Sequence, residues 1–277
     1  MTRLILVSGK GGVGKSSLAA GLALAHQRAG ARVLGIDVAG TGGLAAHLGL
    51  TRLEFKPVEV KPGLDALTVD RAKALIEYLQ VQVGLPGLAT LGPAARFFDA
   101  LASTAPGVRE VVTLGKVIWE VLQRRYDIVV GDCPPTGQVT GLLRAPRTVA
   151  ELVPAGRIRH QADLMSEVLD SPEQSELVLV TLPEELPTLE TEETLEILAK
   201  EKLIGSTMVV TNRVLPPLDT DAKGTGVVAE AASMHRSLYR RQQQWLERLP
   251  PRKTFPYLFG LLTESEVAAR LSDDWGE

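Results

Sequence analysis

The sequence predicts an α/β fold, a mostly parallel sheet with helices on both faces, from three observations. Continuous apolar runs of strand length alternate with stretches of helical period along the whole chain, and such runs belong to parallel sheets covered on both sides. The first run, Leu4-Ile5-Leu6-Val7, passes through a glycine-rich turn into a helical stretch at 17–25. Two other runs, 32–37 and 128–132, end in an aspartate followed by a turn. In open parallel sheets, ligands bind beyond those carboxyl ends.

The glycine-rich turn reads Gly9-Lys10-Gly11-Gly12-Val13-Gly14-Lys15-Ser16. Glycines let successive backbone N–H groups curl around an anion without Cβ clashes. A helix N-terminus adds unpaired donors and a partial positive charge. Strand, turn, Lys-Ser and helix together make a phosphate-binding P-loop and place the fold among the P-loop NTPases. Lys15 is positioned for the β- and γ-phosphates, and Ser16 for Mg²⁺. Gly9, Gly11, Gly12, Val13, Gly14 and Ser17 complete the expected cradle.

The 277 residues are read as a single domain. The chain is 45% hydrophobic, 23% charged and 4% aromatic, with formal net charge −3. That balance gives no global attraction to nucleic acid or an anionic membrane. A lone cysteine, Cys133, supports neither a disulfide framework nor a cysteine-pair zinc site within one chain. No signal peptide is read at the N-terminus, and no apolar run approaches the roughly 20 residues that span a bilayer. The expected compartment is the cytoplasm.

Residues 32–37 read as the second strand. Asp37, at its carboxyl end opposite the P-loop, is the candidate for orienting an attacking water and for holding Mg²⁺ through water; a helix cap is the plain alternative. The following Gly40-Thr41-Gly42-Gly43 can move with a γ-phosphate, as switch loops do. Residues 44–48 read as a short helix, in which His47 shows no partner and is expected to be an ordinary surface or core histidine. Residues 64–70 alternate like a strand. Residues 71–125 read as a helical layer or insertion, broken at Gly84-Leu85-Pro86-Gly87, Gly92-Pro93 and Ala105-Pro106-Gly107. Its last helix, 108–125, has Val111, Val112, Leu114, Val117, Ile118, Val121 and Leu122 at helical spacing.

The run at 128–132, followed by Cys133-Pro134-Pro135-Thr136-Gly137, has the Walker B pattern, with Asp132 holding Mg²⁺ through water. Two prolines cannot continue a central strand, so the chain turns and Gly137 can approach a γ-phosphate. Cys133 reads as a small apolar filler. Residues 177–181 form a strand and 188–202 a helix, with Thr188 as N-cap and Leu195, Leu198 and Ala199 facing inward. Residues 207–212 form another strand, with Asn212 placed to pair with a base edge or to make an Asx turn. A helix at 237–249 carries a basic face (Arg236, Arg240, Arg241, Arg248) that is most simply solvated. The turn at 255–260 brings Pro256 and Tyr257 near the nucleotide, and 264–277 is an acidic helix unlike the basic amphipathic kind that binds membranes.

These motifs in order resemble the ArsA-type ATPase family, the arsenite-pump and tail-anchored-protein-targeting ATPases of the deviant Walker A, signature-lysine superfamily. Lys10 matches the signature lysine and Asp37 the switch I acid. Asp132-Cys133-Pro134-Pro135-Thr136-Gly137-Gln138 resembles the switch II run D-T-A-P-T-G-H. Pro183-Glu184-Glu185-Leu186-Pro187-Thr188-Leu189-Glu190-Thr191-Glu192 resembles P-E-x-L-x-x-x-E-T-E, and 240–260 the basic helix leading to an adenine loop. The resemblance implies ATP or ADP with Mg²⁺, a catalytic set of Lys10, Lys15, Asp37 and Asp132, and a homodimer or a heterodimer with a paralogue in which Lys10 crosses to the other subunit's nucleotide. Three departures shape the expectation. Switch I reads Asp37-Val38-Ala39-Gly40 instead of D-P-A-H, which points to slow hydrolysis. The zinc-bridging C-x-x-C is missing from 226–235, so no zinc is expected, and the arsenite-binding cysteines are missing too. Four methionines are too few for a Met-rich groove.

The reading is an ATP-hydrolysing dimeric switch whose open and closed cycle acts on a client or membrane-protein partner. A weakly hydrolysing, nucleotide-binding assembly subunit is the first alternative. A partition or positioning ATPase is the second, disfavoured by the acidic balance. Neither nucleic-acid binding nor direct membrane insertion is expected.

Overall fold

The structure, a computed structural model, describes residues 1–78, 80, 107–218 and 226–276. Its elements run β1 (Arg3–Gly9), α1 (Lys15–Arg28), β2 (Val33–Asp37), α2 (Gly43–His47), β3 (Val58–Lys61), β4 (Leu64–Thr68), α3 (Arg71–Glu77), α4 (Val108–Leu122) and β5 (Ile128–Asp132). They continue α5 (Thr136–Leu152), α6 (Arg157–Asp170), β6 (Ser175–Thr181), α7 (Glu185–Glu201), β7 (Ser206–Val214), α8 (Val227–Arg248), β8 (Lys253–Pro256) and α9 (Glu264–Gly276). The eight strands form one sheet in the order β3-β4-β2-β5-β1-β6-β7-β8. Every pair is parallel except β3–β4.

The continuous apolar runs follow from burial on both faces. In β1, Leu4 and Leu6 join one core cluster with Leu34, Val129 and residues of α4, α5 and α6. Ile5 and Val7, pointing the other way, join a second cluster with α1 and α9. Helix α1 is buried from Leu18 to Leu24, because α9 covers its outer side. A Cβ on Gly21 would lie 3.0 Å from Leu271, and Trp275 Nε1 donates to Leu18 O at 3.2 Å. Among the described residues no helix is long and apolar enough to cross a membrane.

Register sets the functional edge. β1 lies between β5 and β6, with Val7 opposite Asp132. β2 pairs with β5 so that Asp37 lies opposite Asp132. The two acids and the P-loop therefore emerge side by side where strand order reverses, the place where such sheets bind ligands.

Several boundaries differ from the sequence reading. Strand β4 stops at Thr68, because the Asp70 carboxylate caps α3 by accepting from Lys73 N at 3.1 Å. Helix α7 begins three residues before Thr188, which is buried and donates to Leu182 O at 3.3 Å. Leu198 is buried, but Ala199 is exposed. Thr191 and Thr194 fill the inner face instead, each donating to the carbonyl four residues back at 2.7 Å. Helix α8 starts at Val227, ten residues before the expected start. Strand β3 and helices α5 and α6 have no counterpart in the sequence reading. Of the expected helical layer, α3 and α4 are seen, while the breaks at 84–87, 92–93 and 105–106 lie outside the described residues.

A Cβ added at Gly9 would lie 2.1 Å from Val180 O, where β1 runs against β6. Gly9→Ala is therefore expected to destabilise the protein by about 2–4 kcal/mol, read as a lowered urea midpoint at unchanged slope.

Candidate functional site

The loop after β1 is shaped by glycine. Gly12 and Gly14 have φ of 85° and 95°, which side-chain-bearing residues rarely adopt. A Cβ on Gly14 would sit 2.4 Å from Asn212 Nδ2. The loop delivers the chain to the N-terminus of α1, whose first N–H groups have no intrahelical acceptor. Lys15 bends back into this cradle and donates to Lys10 O at 3.1 Å. Burial lowers its proton affinity, against the pull of the nearby Asp132.

The two acids behave differently. Asp37 is 1% exposed, and its carboxylate accepts from Gly40 N and Gly42 N at 2.8 Å and from Thr41 N at 3.3 Å. It thus caps the loop leading into α2, the plainer of the two sequence readings. Asp132 is also 1% exposed, and its Oδ2 has no hydrogen-bond partner. Burial pushes its carboxyl up to about 6; the neighbouring Asp37 adds to this, while the Ser16 hydroxyl and Lys15 oppose it.

An orphaned, desolvated carboxylate oxygen beside the Ser16 hydroxyl fits Mg²⁺, a hard cation that uses one or two carboxylates together with phosphate oxygens. Among the described residues no cluster of three or more His, Cys, Asp or Glu forms a protein-only metal cage. Gly43 closes over Ser16 so tightly that a Cβ there would lie 2.5 Å from Ser16 Oγ, which puts the switch I loop against the same point.

Ser17, Asn212, Pro256 and Tyr257 line one cavity of about 490 Å³, together with His47 and Glu264. Asn212 is buried; its Nδ2 donates to Val13 O at 2.9 Å and its Oδ1 accepts from Arg213 N at 2.9 Å. A carboxamide with those two bonds keeps one N–H and one lone pair. Gly11 and Gly12 line a second, larger groove with Lys10. Gly137 lies in the first turn of α5 with open space where a Cβ would be. Cys133 is fully buried, and burial pushes its thiol up, as suits an apolar filler.

Two residues at the site escape sequence reasoning. Glu190 of α7 forms an ion pair with Lys10 and accepts from Thr136 Oγ1 at 3.5 Å, joining the P-loop to the start of α5. His47 bonds both Gly43 O and Ser17, in place of the partnerless histidine expected. Each contact joins residues distant in sequence, except the His47–Gly43 bond, which is a local i,i−4 contact.

The folded chain holds the Asp132 proton more tightly than the unfolded chain, so ionising Asp132 costs stability as pH rises from about 4 through about 6. Relative to wild type, Asp132→Asn is expected to gain about 2–3 kcal/mol by pH 8 and almost nothing at pH 4. Urea unfolding of the protein without nucleotide or Mg²⁺, at both pH values, checks this.

Residues 2–162 match the family model described as anion-transporting ATPase. ATPase BagA of Mycobacterium tuberculosis is 36% identical over 229 residues, covering 77% of this chain and 66% of that protein. An arsenical pump-driving ATPase of Acidiphilium multivorum is 27% identical over 266 residues, covering 89% of this chain and 44% of that protein. ATPase asna-1 of Caenorhabditis elegans is 23% identical over 274 residues, covering 83% and 79%. The chain thus spans just under two thirds of the mycobacterial relative and less than half of the pump-driving one. With a family model covering more than half its length and a P-loop framed by two strand-end aspartates, the chain belongs to the ArsA-type, anion-transporting ATPase family.

Proposed function

We propose that the chain is a Mg²⁺-dependent ATPase that works as a dimeric switch, closing on ATP, opening after hydrolysis, and acting on a protein or membrane-protein partner. The observation that carries this reading is the different placement of the two P-loop lysines. Lys15 turns into the loop's own cradle. Lys10 turns away from it to Glu190, beside a groove of about 1020 Å³ whose walls include Leu186, Met234, Leu238, Trp245 and Phe259. Four of these five are exposed large apolar side chains; such a surface next to the signature lysine suits coverage by a second subunit.

In this reading Lys15, the loop amides and the α1 N-terminus hold the phosphates, and Ser16 and Asp132 hold the metal. Bound Mg²⁺ supplies positive charge against the β- and γ-phosphate oxygens. Lys10 of the partner adds charge at the γ-phosphate, as an arginine finger does. Asp37 orients the attacking water once its loop amides release it.

That last requirement favours a second reading. The Asp37 carboxylate is held by three amides, so a subunit that binds ATP, assembles and hydrolyses it slowly is also consistent with the geometry.

Single-turnover hydrolysis with enzyme in excess separates the two. Asp37→Asn and Lys10→Ala are each expected to slow hydrolysis by about 10²-fold or more. Mixing the two variants is expected to restore activity to about a quarter of wild type if dimers form at random, because one site in a mixed dimer has both its own Asp37 and the partner's lysine. A rate indifferent to Asp37→Asn removes its catalytic assignment and leaves the assembly subunit. Full activity of Lys10→Ala alone, or no restoration on mixing, removes the action in trans.

A further inference from the structure

We propose that His47 is a positioning residue for the bound nucleotide, acting through the Ser17 hydroxyl. The proposal rests on the nucleotide reading above and names a residue which that reading leaves without a role.

His47 ends α2, the short helix that follows the switch I loop. Its Nδ1 lies 2.8 Å from Gly43 O. A carbonyl oxygen only accepts, so Nδ1 carries the hydrogen. Its Nε2 lies 2.9 Å from Ser17 Oγ. In the neutral ring this nitrogen is a lone pair, and the Ser17 O–H must point at it. In the doubly protonated ring Nε2–H donates to Ser17 Oγ, and the hydroxyl hydrogen is released to point elsewhere.

The place of Ser17 makes that choice matter. It is the third residue of α1, at the mouth of the P-loop, and a Cβ on Gly14 would lie 3.8 Å from its Oγ. It lines the same cavity as Asn212, Pro256 and Tyr257. A polyphosphate offers acceptors only. A neutral His47 takes the Ser17 hydrogen away from that anion; a protonated His47 returns it and adds a positive charge one side chain away. Nucleotide binding and uptake of one solvent proton on His47 Nε2 are therefore linked. The same ring ties this point to switch I, because Gly43 closes the loop whose amides bind Asp37. The other charged and titratable groups that line the cavity with it are Glu264 at the start of α9, Arg213 and Tyr257.

Calorimetric titration with MgADP, from pH 5.5 to 8.5 in buffers of different ionisation heat, tests the proposal. Its controls are wild type and His47→Gln, whose amide can donate to Ser17 but does not titrate. Wild-type affinity is expected to fall about tenfold more than that of the variant across this range, with a proton uptake that the variant lacks. Titration of the ADP phosphate appears in both proteins and cancels. Parallel profiles with equal proton uptake overturn the proposal. If His47→Gln folds poorly or binds no ADP, ¹⁵N spectra of the wild-type imidazole decide: Nε2 gaining a proton at pH 7 on addition of MgADP supports the role, and an unchanged ring overturns it. Wild type that binds no MgADP at any pH overturns the nucleotide reading itself, and His47 loses its role with it.

Discussion

Two aspartates buried level with each other at the centre of a parallel sheet set the terms for the rest of this molecule. The pairing of β2 with β5 leaves no choice about their proximity. Like charges in a desolvated site cannot both be comfortable. Asp37 is accommodated by three loop amides, whereas Asp132 has the Ser16 hydroxyl on one side and nothing on Oδ2. The chain thus folds around an uncompensated acceptor, which is costly unless a cation supplies what the protein does not. Lys15 is the protein cation that opposes this, and its own burial weakens its hold on the proton.

Close packing makes that site communicate with its surroundings. Gly43 rides on Ser16, Gly14 on Asn212, and Gly9 on the β6 carbonyl at Val180. The loop at Gly43 therefore cannot move toward α1 without displacing Ser16. Glu190 reaches both Lys10 and Thr136, so the outward lysine and the head of α5 share one anchor. His47 makes the corresponding tie between Ser17 and Gly43. The P-loop is thus bracketed by Glu190 at one end and His47 at the other.

Much of this was legible in the sequence, for reasons that differ by element. The central strands are unbroken apolar runs because both faces are covered, and the glycine spacing at 9–14 admits few other uses. Strand β3 escaped because Val58-Glu59-Val60-Lys61 is a short edge strand with charged residues exposed on one face. Helix α5 contains Gly137, Gly141 and Pro146, residues of low helix propensity that mask its period. The inner face of α7 is made of threonines that satisfy their hydroxyls on the helix backbone, so its burial leaves no apolar stripe. Within the site, the residue types declared themselves through local pattern, while Glu190 and His47 acquire meaning only from partners 180 and 30 residues away. The engagement of Asp37 with its own loop is one of the two readings that the pattern allowed, and it rests on three amides that only the folded loop brings together.

The central claim is that the unpartnered oxygen of Asp132 faces the place of the nucleotide's metal. Electron paramagnetic resonance of Mn²⁺, titrated with a non-hydrolysable ATP analogue into wild type and Asp132→Asn, tests it most directly. The account predicts a tightly bound Mn²⁺ signal that requires the nucleotide, with affinity falling about 10–100-fold in the variant. Equal Mn²⁺ affinity in the two proteins, or tight Mn²⁺ binding that ignores the nucleotide, would contradict it.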